Sequence, residues 1–381
     1  MVLNILLYLT FILFSFGQLG RISFLGQQIN LYLYEIFVFF IILYLFVKYK
    51  FKPLVQSLNR LKIIYLFFLF IFIGFFVDLK SYSFEQNLVS FLYQARLWLY
   101  FTFFIYFLYE VKRNSTLSKK IIFPFLIFVV LTIASSIVQY FLYPDLRNVI
   151  YAGWDPHLYR LFGVFFDTFL AGAVYGLIFI FLLKNTDRLP LPKFINKTLL
   201  IIFFIFIFFT YSRWLFVAFF LTVLIMFFKK RTYKNVAILL MLFAGLIFLL
   251  PKQFGEGVNL LRTTSIKTRI ADYPNAVSLW LKKPIFGYGY NRLRYISHAQ
   301  NLESHAAAGF SSFLIVLVAG GVIGFLLFLA SLINQTYSKS TAGDYLIFVV
   351  LLSLADNVIL HPFVIFLLIM ITSYSSPRVD S

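Results

Sequence analysis

Apolar residues run through this chain in blocks too long for the strands or half-buried helices of a water-soluble fold. A hydrocarbon core about 30 Å thick takes about 20 helical residues to cross. Twelve runs approach or reach that length: Val2–Phe16, Leu33–Val47, Ile63–Val77, Leu88–Tyr109, Ile121–Tyr143, Leu161–Leu183, Leu199–Thr210, Trp214–Phe228, Val236–Leu250, Phe310–Ile333, Tyr345–Ala355 and Pro362–Ser373. The pattern predicts an all-α polytopic membrane protein with about twelve transmembrane helices. The first run has neither a basic start nor a small-residue cleavage site, so it reads as a retained span. The longest hydrophilic piece, Pro251–Gly309, falls between spans nine and ten.

Positive charge orients these spans, because Lys and Arg near span ends stay cytoplasmic. Alternate short loops carry Lys48, Lys50, Lys52, Arg60 and Lys62; then Lys112, Arg113, Lys119 and Lys120; then Lys184, Arg188, Lys193 and Lys197; then Lys229, Lys230, Arg231 and Lys234. The loops between hold only Arg21, then Lys80, then Arg147 and Arg160. Both termini are therefore expected in the cytoplasm, and the 251–309 loop outside.

The stretch between Lys197 and Lys229 tests this scheme. As one helix it would be about 45 Å long, with Arg213 near mid-bilayer and basic flanks on opposite sides. As two short spans of about 22 Å each it keeps both flanks inside and lifts Arg213 to a tight turn slightly below the outer headgroups. Two spans fit better. Tyr345–Ser373 reads the same way, with Asp356, Asn357, His361 and Pro362 at its outer turn.

Composition agrees and removes other classes. Hydrophobic residues make up 62% and charged residues 12%, where a soluble chain has about 25% charged. With 53 Phe and 25 Tyr, no soluble exterior could stay polar. No cysteine is present, so thiol catalysis, thiolate metal sites and disulfides are excluded. The net charge of +19 sits in the cytoplasmic and long loops, and calls for no nucleic acid.

With that topology, the ionisable residues within or at the edge of spans share the outer side: Glu35, Arg96, Asp167, Arg213 and Asp356. Such charges either face a cavity or pair with one another, for example Arg96 with Asp167. Beside them, the long loop carries Lys252, Arg262, Lys267, Arg269, Lys282, Lys283, Arg292 and Arg294 against Glu256, Asp272 and Glu303. A basic surface next to an outward cavity suits an anionic substrate. Within the loop, Ile266, Arg269, Ile270, Tyr273, Ala276, Val277 and Trp280 fall at helical spacing. This amphipathic helix is expected to lie on the membrane edge or close over the cavity, with Pro274 kinking it or starting a second helix. Lys283-Pro284 ends it, and Gly287 and Gly289 follow as a turn.

Familiar motifs are missing. Gly-Tyr-Gly-Tyr lacks the third glycine and the βαβ setting of a dinucleotide site. There is no GxxxxGK[ST], no HExxH and no DxD, and His157, His298, His305 and His361 have no metal-ligand spacing. Gly172–Gly176 and Gly320–Gly324 read as close-packing pairs in spans.

The order Arg-Leu-Phe-Gly-Val-Phe-Phe-Asp (160–167), Tyr-Ser-Arg (211–213), Arg269, Lys-Pro-Ile-Phe-Gly-Tyr-Gly (283–289), a histidine, and Phe-Leu-Ile-Val-Leu-Val-Ala-Gly-Gly-Val-Ile-Gly (313–324) resembles the O-antigen ligase and polymerase superfamily. The resemblance implies a GT-C-like fold, a single integral membrane domain over 1–381 with the large loop at 251–309. It implies a metal-independent glycosyltransferase without cofactors. Such an enzyme moves a glycan from a polyprenyl-pyrophosphate carrier to a glycan or lipid acceptor at the outer face of the cytoplasmic membrane, in contact with membrane lipid. Carried over residue by residue, Arg213 and Arg269 hold the pyrophosphate and His305 acts as base, while Arg96, Arg160, Asp167, Arg262 and Arg292 are candidate substrate-binding residues. Members commonly have Asn after that histidine; here Ala306 stands there, and Ser311 or Ser312 sits nearer the expected place. The residue types suit the chemistry: Arg stays protonated and binds oxyanions bidentately, and His accepts a proton near neutral pH. A transporter or flippase of a lipid-linked anion is the alternative, and ligase and polymerase are not separable from these motifs.

Overall fold

The computed structural model describes residues 1–147, 157–229, 231, 241–245, 247–250, 258–261, 263–297, 310–337 and 343–375. Helices dominate: α1 (Val2–Phe14), α2 (Leu33–Tyr49), α3 (Lys52–Leu58), α4 (Lys62–Val77), α5 (Phe84–Arg113), α6 (Ser115–Leu142), α7 (Thr168–Lys184), α8 (Lys193–Phe209) and α9 (Arg213–Lys229). Helical turns at 241–245 and 247–249, together α10, precede α11 (Thr264–Lys282), α12 (Leu293–Ile296), α13 (Ser312–Tyr337), α14 (Gly343–Ser353) and α15 (Pro362–Ser375). Among the described residues, three stretches, Phe84–Arg113, Lys119–Leu142 and Ser312–Thr336, are long and apolar enough to cross a membrane. A fourth, α3 with α4, is bent by 100° at its break, and α1, α7, α14 and α15 are shorter apolar helices. The architecture is that of a polytopic all-α membrane protein. Large apolar side chains such as Phe39, Phe40, Leu69, Phe76, Phe123 and Leu326 point out of the bundle, as expected where the surrounding solvent is lipid.

Every side chain of α7 from Thr168 to Leu182 is buried, the expected setting for a helix apolar on all faces. Two glycines let neighbours close on it. The Leu215 side chain of α9 comes within 2.1 Å of where a Cβ on Gly172 would stand, and the Phe348 ring of α14 within 2.2 Å at Gly176. Away from these contacts, Phe14 and Phe366 join α1 and α15 through touching rings, with centroids 4.8 Å apart.

Basic helix ends gather on one side. Asp344, at the start of α14, accepts from Lys184 of α7 at 2.6 Å and from Lys229 of α9 at 2.9 Å. Nearby, Asn185 donates to Tyr345 and Ser375, which ties in α15. Lys48 at the end of α2 likewise meets Glu110 of α5 at 2.8 Å.

α13 is interrupted. Gly321 has φ +60 and ψ −168, a conformation essentially confined to glycine. The 284–289 segment is seated against the break: Val322 N–H donates to Pro284 O (2.8 Å), Tyr288 N–H to Val318 O (3.1 Å) and Gly289 N–H to Ala319 O (2.9 Å). Polar backbone freed inside an apolar helix needs such partners. The two glycine motifs of the sequence are therefore one clip, closed around the interruption.

Two expectations change, one of the two alternatives at Pro274 falls away, and one element is new. The run from Leu161 becomes helical only at Thr168, because the Asp167 carboxylate accepts from Leu170 N–H at 2.6 Å and caps α7. Before it, Gly163–Phe165 form a 3₁₀ turn, and Gln139 of α6 accepts from Phe162 and Gly163 N–H at 2.9 and 3.0 Å. Arg96 pairs with Glu35 rather than with Asp167. α11 runs through Pro274 without starting a second helix. Finally, a two-stranded hairpin, β1 (Arg21–Phe24) with β2 (Ile29–Tyr32), leads into α2.

Candidate active site

The site grows from the turn between α8 and α9. Tyr211 adopts φ +50, Thr210 Oγ donates to Ile207 O at 2.7 Å, and Arg213 opens α9. The Arg160–Leu161 segment braces this turn from below: Arg160 Nε donates to Thr210 O at 2.8 Å, and Leu161 N–H to Phe209 O at 2.8 Å. Arg160 is buried and also meets His157 Nδ1 at 3.2 Å. It therefore supports the turn that presents Arg213. Arg213 in turn donates to Leu260 O at 3.1 Å, drawing the long loop toward α9.

α11 brings the second arginine. The Arg269 guanidinium stands 5.0 Å from the centre of the Phe169 ring, at the capped start of α7, and 3.5 Å from the Asp356 carboxylate. Tyr273 of the same helix donates to Leu354 O at 3.3 Å, so α11 lies across the α14–α15 turn. Arg213 and Arg269 are close enough for their charges to repel. Asp272, three residues further along α11, has its carboxyl pushed above the usual range by burial, with the Arg269 charge opposing that shift.

The Arg269–Asp356 contact is loose. Charge-assisted N–H···O bonds usually measure about 2.7–2.9 Å, and both side chains here are roughly two-fifths exposed. The Asp356 backbone is held firmly by contrast: its carbonyl accepts from Ser312 N–H at 3.2 Å, and its carboxylate accepts from Asn357 N–H at 2.7 Å. Ser312 is fully buried, donating to Asn357 Oδ1 (3.1 Å) and accepting from Val358 N–H (3.0 Å). Ser311 is buried too and accepts from Leu314 N–H. Ser312 fastens α13 to the α14–α15 turn, and Ser311 caps the first turn of α13.

Two other expected residues sit in separate clusters. Arg96 donates to Glu35 at 3.0 Å and to Asn30 O, and its guanidinium faces the Tyr93 ring at 5.0 Å. Glu35 also accepts from Tyr100 at 2.8 Å and from Tyr32 N–H at 3.0 Å. This network fastens β2 and α2 to α5. Arg292 is fully buried: it donates to Phe75 O (3.2 Å), Tyr288 O (3.1 Å) and Asn87 Oδ1, and lies 4.4 Å from the Tyr82 ring. It pins α12 to α4 and α5. Arg262 and His305 lie outside the described residues. Asp167 serves as the cap of α7, two residues before Phe169.

The structure adds Asp356 and Phe169 to the site. The sequence placed Asp356 among the outer charges but gave it no partner, and one Phe among fifty-three carries no signal.

Residues 198–329, about a third of the chain, match a family model described as O-antigen ligase. The matched stretch includes Arg213, Arg269, the 283–289 clip and the interruption of α13 at Gly321. No curated protein matches the chain. Through this segment, which carries both arginines, the chain is similar to the O-antigen ligase superfamily.

Proposed function

We propose that this protein transfers a glycan from a polyprenyl-pyrophosphate carrier to an acceptor hydroxyl at the outer face of the cytoplasmic membrane. The family match supports O-antigen ligase- or polymerase-like glycan transfer in surface polysaccharide assembly. The observation that carries the finer reading is the approach of Arg213 and Arg269, from separate elements, at one end of the bundle. Two guanidinium groups presented from separate elements within electrostatic reach of each other suit a polyanion. At rest Asp356 is the counter-ion of Arg269, at a distance and exposure that a pyrophosphate, with more charge and bidentate geometry, can displace.

In this reading the acceptor oxygen attacks the anomeric carbon of the donor. The sugar–phosphate C–O bond breaks, its electron pair leaves with the pyrophosphate, and the hydroxyl proton passes to a base, the role proposed for His305. Arg213 and Arg269 stabilise the charge growing on the leaving group, which in a site shielded from water is worth more than in bulk solvent. Arg160 acts on Arg213 through the turn it braces. The twelve-span, GT-C-like arrangement, with cytoplasmic termini and an outward site, belongs to the same proposal; basic helix ends meeting at Asp344, at the opposite ends of α7, α9 and α14 from the arginines, support its orientation alone.

The test is glycan transfer by purified protein in proteoliposomes with lipid-linked donor and acceptor, scored as released carrier. Arg213→Ala and Arg269→Ala are expected to insert normally and lose transfer, and the Lys variants to recover only part of it. Undiminished turnover in both Ala variants overturns the assignment. Donor alone distinguishes the products: chain lengthening marks a polymerase, and silence until acceptor is added marks a ligase.

A further inference from the structure

α11 has three faces. The first points inward: Arg269 toward Asp356, Ala276 fully buried, and Leu279 and Trp280 packed on the core between α4, α5 and α13. The second is exposed and polar, with Lys267, Asn275, Ser278 and Lys282. The third is exposed and apolar: Ile270 (65%), Tyr273, Val277 and Leu281 (62%), at spacings of three and four residues that form one stripe. A water-facing helix gains nothing from such a stripe.

The stripe does not stop at the helix end. Ile285 and Phe286 continue it, both exposed, and the Phe286 ring stacks on Phe70 of α4 at 5.4 Å and 10°. Phe70 reaches α13 beside Gly324, and around this contact α4 and α13 expose Leu69, Phe76, Ile323 and Leu326. The unpartnered face of α11 is thus continuous with the apolar outer surface of membrane-crossing helices. Lys267 and Lys282 flank it on the polar side, where headgroup phosphates would lie. Tyr273 presents an apolar ring while its hydroxyl is held by Leu354 O, which suits the boundary between hydrocarbon and headgroups.

We infer that the Ile270–Tyr273–Val277–Leu281 stripe is a lipid-docking face that seats α11 in the interfacial zone of the bilayer. An amphipathic helix in that position buries its apolar face about 5–10 Å into the boundary between headgroups and acyl chains. Arg269, on the neighbouring face of the same helix, is thereby held at the depth of lipid phosphates. The bilayer becomes part of the support that positions the site, in addition to the clip at Gly321 and the Tyr273 hydrogen bond. This inference needs only that the long apolar helices cross a membrane, and it stands or falls apart from the glycan chemistry.

The chain has no cysteine, so each introduced thiol is a unique labelling site. Spin labels are placed at Ile270→Cys, Val277→Cys and Leu281→Cys, with Asn275→Cys and Ser278→Cys on the polar face and Leu326→Cys on α13 as the lipid standard. In phosphatidylethanolamine–phosphatidylglycerol vesicles, collisions with oxygen and with a water-soluble nickel chelate are measured. Positions 270, 277 and 281 are expected to match 326, favouring oxygen several-fold, while 275 and 278 favour nickel. Equal access of nickel to all five loop positions means the stripe faces water. Low access of both reagents at 270, 277 and 281 means that protein covers it. Either result overturns the inference, and both readouts are independent of transfer activity.

Discussion

Replacing Gly321 by alanine probes the joint on which α11 depends. At φ +60 and ψ −168 a non-glycine residue is strained by about 1–3 kcal/mol. The added Cβ would stand 2.2 Å from Ile285 O and 2.4 Å from Ile285 C. These are backbone atoms of the clip, so relief requires moving the 284–289 segment itself, an overpacking cost of about 1–3 kcal/mol more. Together the loss is about 2–6 kcal/mol. At about 2 °C per kcal/mol, the low end for domains of 150–250 residues, the melting midpoint falls by about 4–12 °C. Neighbouring glycines supply the controls. A Cβ on Gly320 would come no nearer than 3.6 Å to Ile71, and one on Gly324 no nearer than 3.9 Å to Phe70, both ordinary contacts. In a helix, Ala at these two positions is expected to be neutral or to gain up to about 1 kcal/mol. The assay is thermal unfolding of purified protein in detergent, followed by loss of the monodisperse peak, with transfer measured below the transition. Because the clip anchors the end of α11, Gly321→Ala is expected to lower transfer even where it remains folded. If Gly321→Ala melts with Gly320→Ala, the clip is not holding the fold as described.

Two further predictions concern charge. Glu35→Gln leaves the largely buried Arg96 without its carboxylate, and is expected to cost about 3 kcal/mol in thermal unfolding, while Glu35→Gln combined with Arg96→Met costs less than the sum of the two singles; strict additivity would refute the pairing. Asp272 has a folded pKa above its unfolded one, so the folded protein binds its proton more tightly and this group's contribution falls as pH rises through the raised value. Asp272→Asn is therefore expected to stabilise the protein at neutral pH and to flatten the stability profile just above the ordinary carboxylate range. A profile unchanged by the substitution would contradict the burial argument.

The helices were largely legible because their solvent is lipid. Uninterrupted apolar runs and basic punctuation are strong signals, and every run has helix over at least part of its described residues. What the sequence concealed were local polar solutions. The Leu161–Phe166 segment is as apolar as a span, yet Gln139 and Asp167 hold its backbone in a turn. The hairpin at Arg21–Tyr32 alternates apolar and polar residues around Gly26, a signal too short to stand out beside long helices. At the site, Arg213 was readable as a charge in a costly position, and Arg269 as the basic member of the stripe on the loop helix. Their partners were not: Asp356 is separated from Arg269 by 86 intervening residues, and only the fold brings the two together. Periodicity also misassigned the face of α11. It put Ala276 and Trp280 in one stripe with Ile270 and Val277, whereas the helix turns the first pair to the core and the second pair outward.

The length of α8 and α9 has a consequence for the lipid around them. At 17 residues each, the two arms rise about 25 Å, some 5 Å less than an average hydrocarbon layer. As spans they create hydrophobic mismatch, and a bilayer accommodates short spans by thinning beside them. The dimple would form on the side of Arg213, drawing headgroups and water down to the guanidinium. On the function proposed here, a carrier lipid diffusing in the leaflet would then meet the protein where its own phosphates already dip, and the membrane's shape would share in substrate capture.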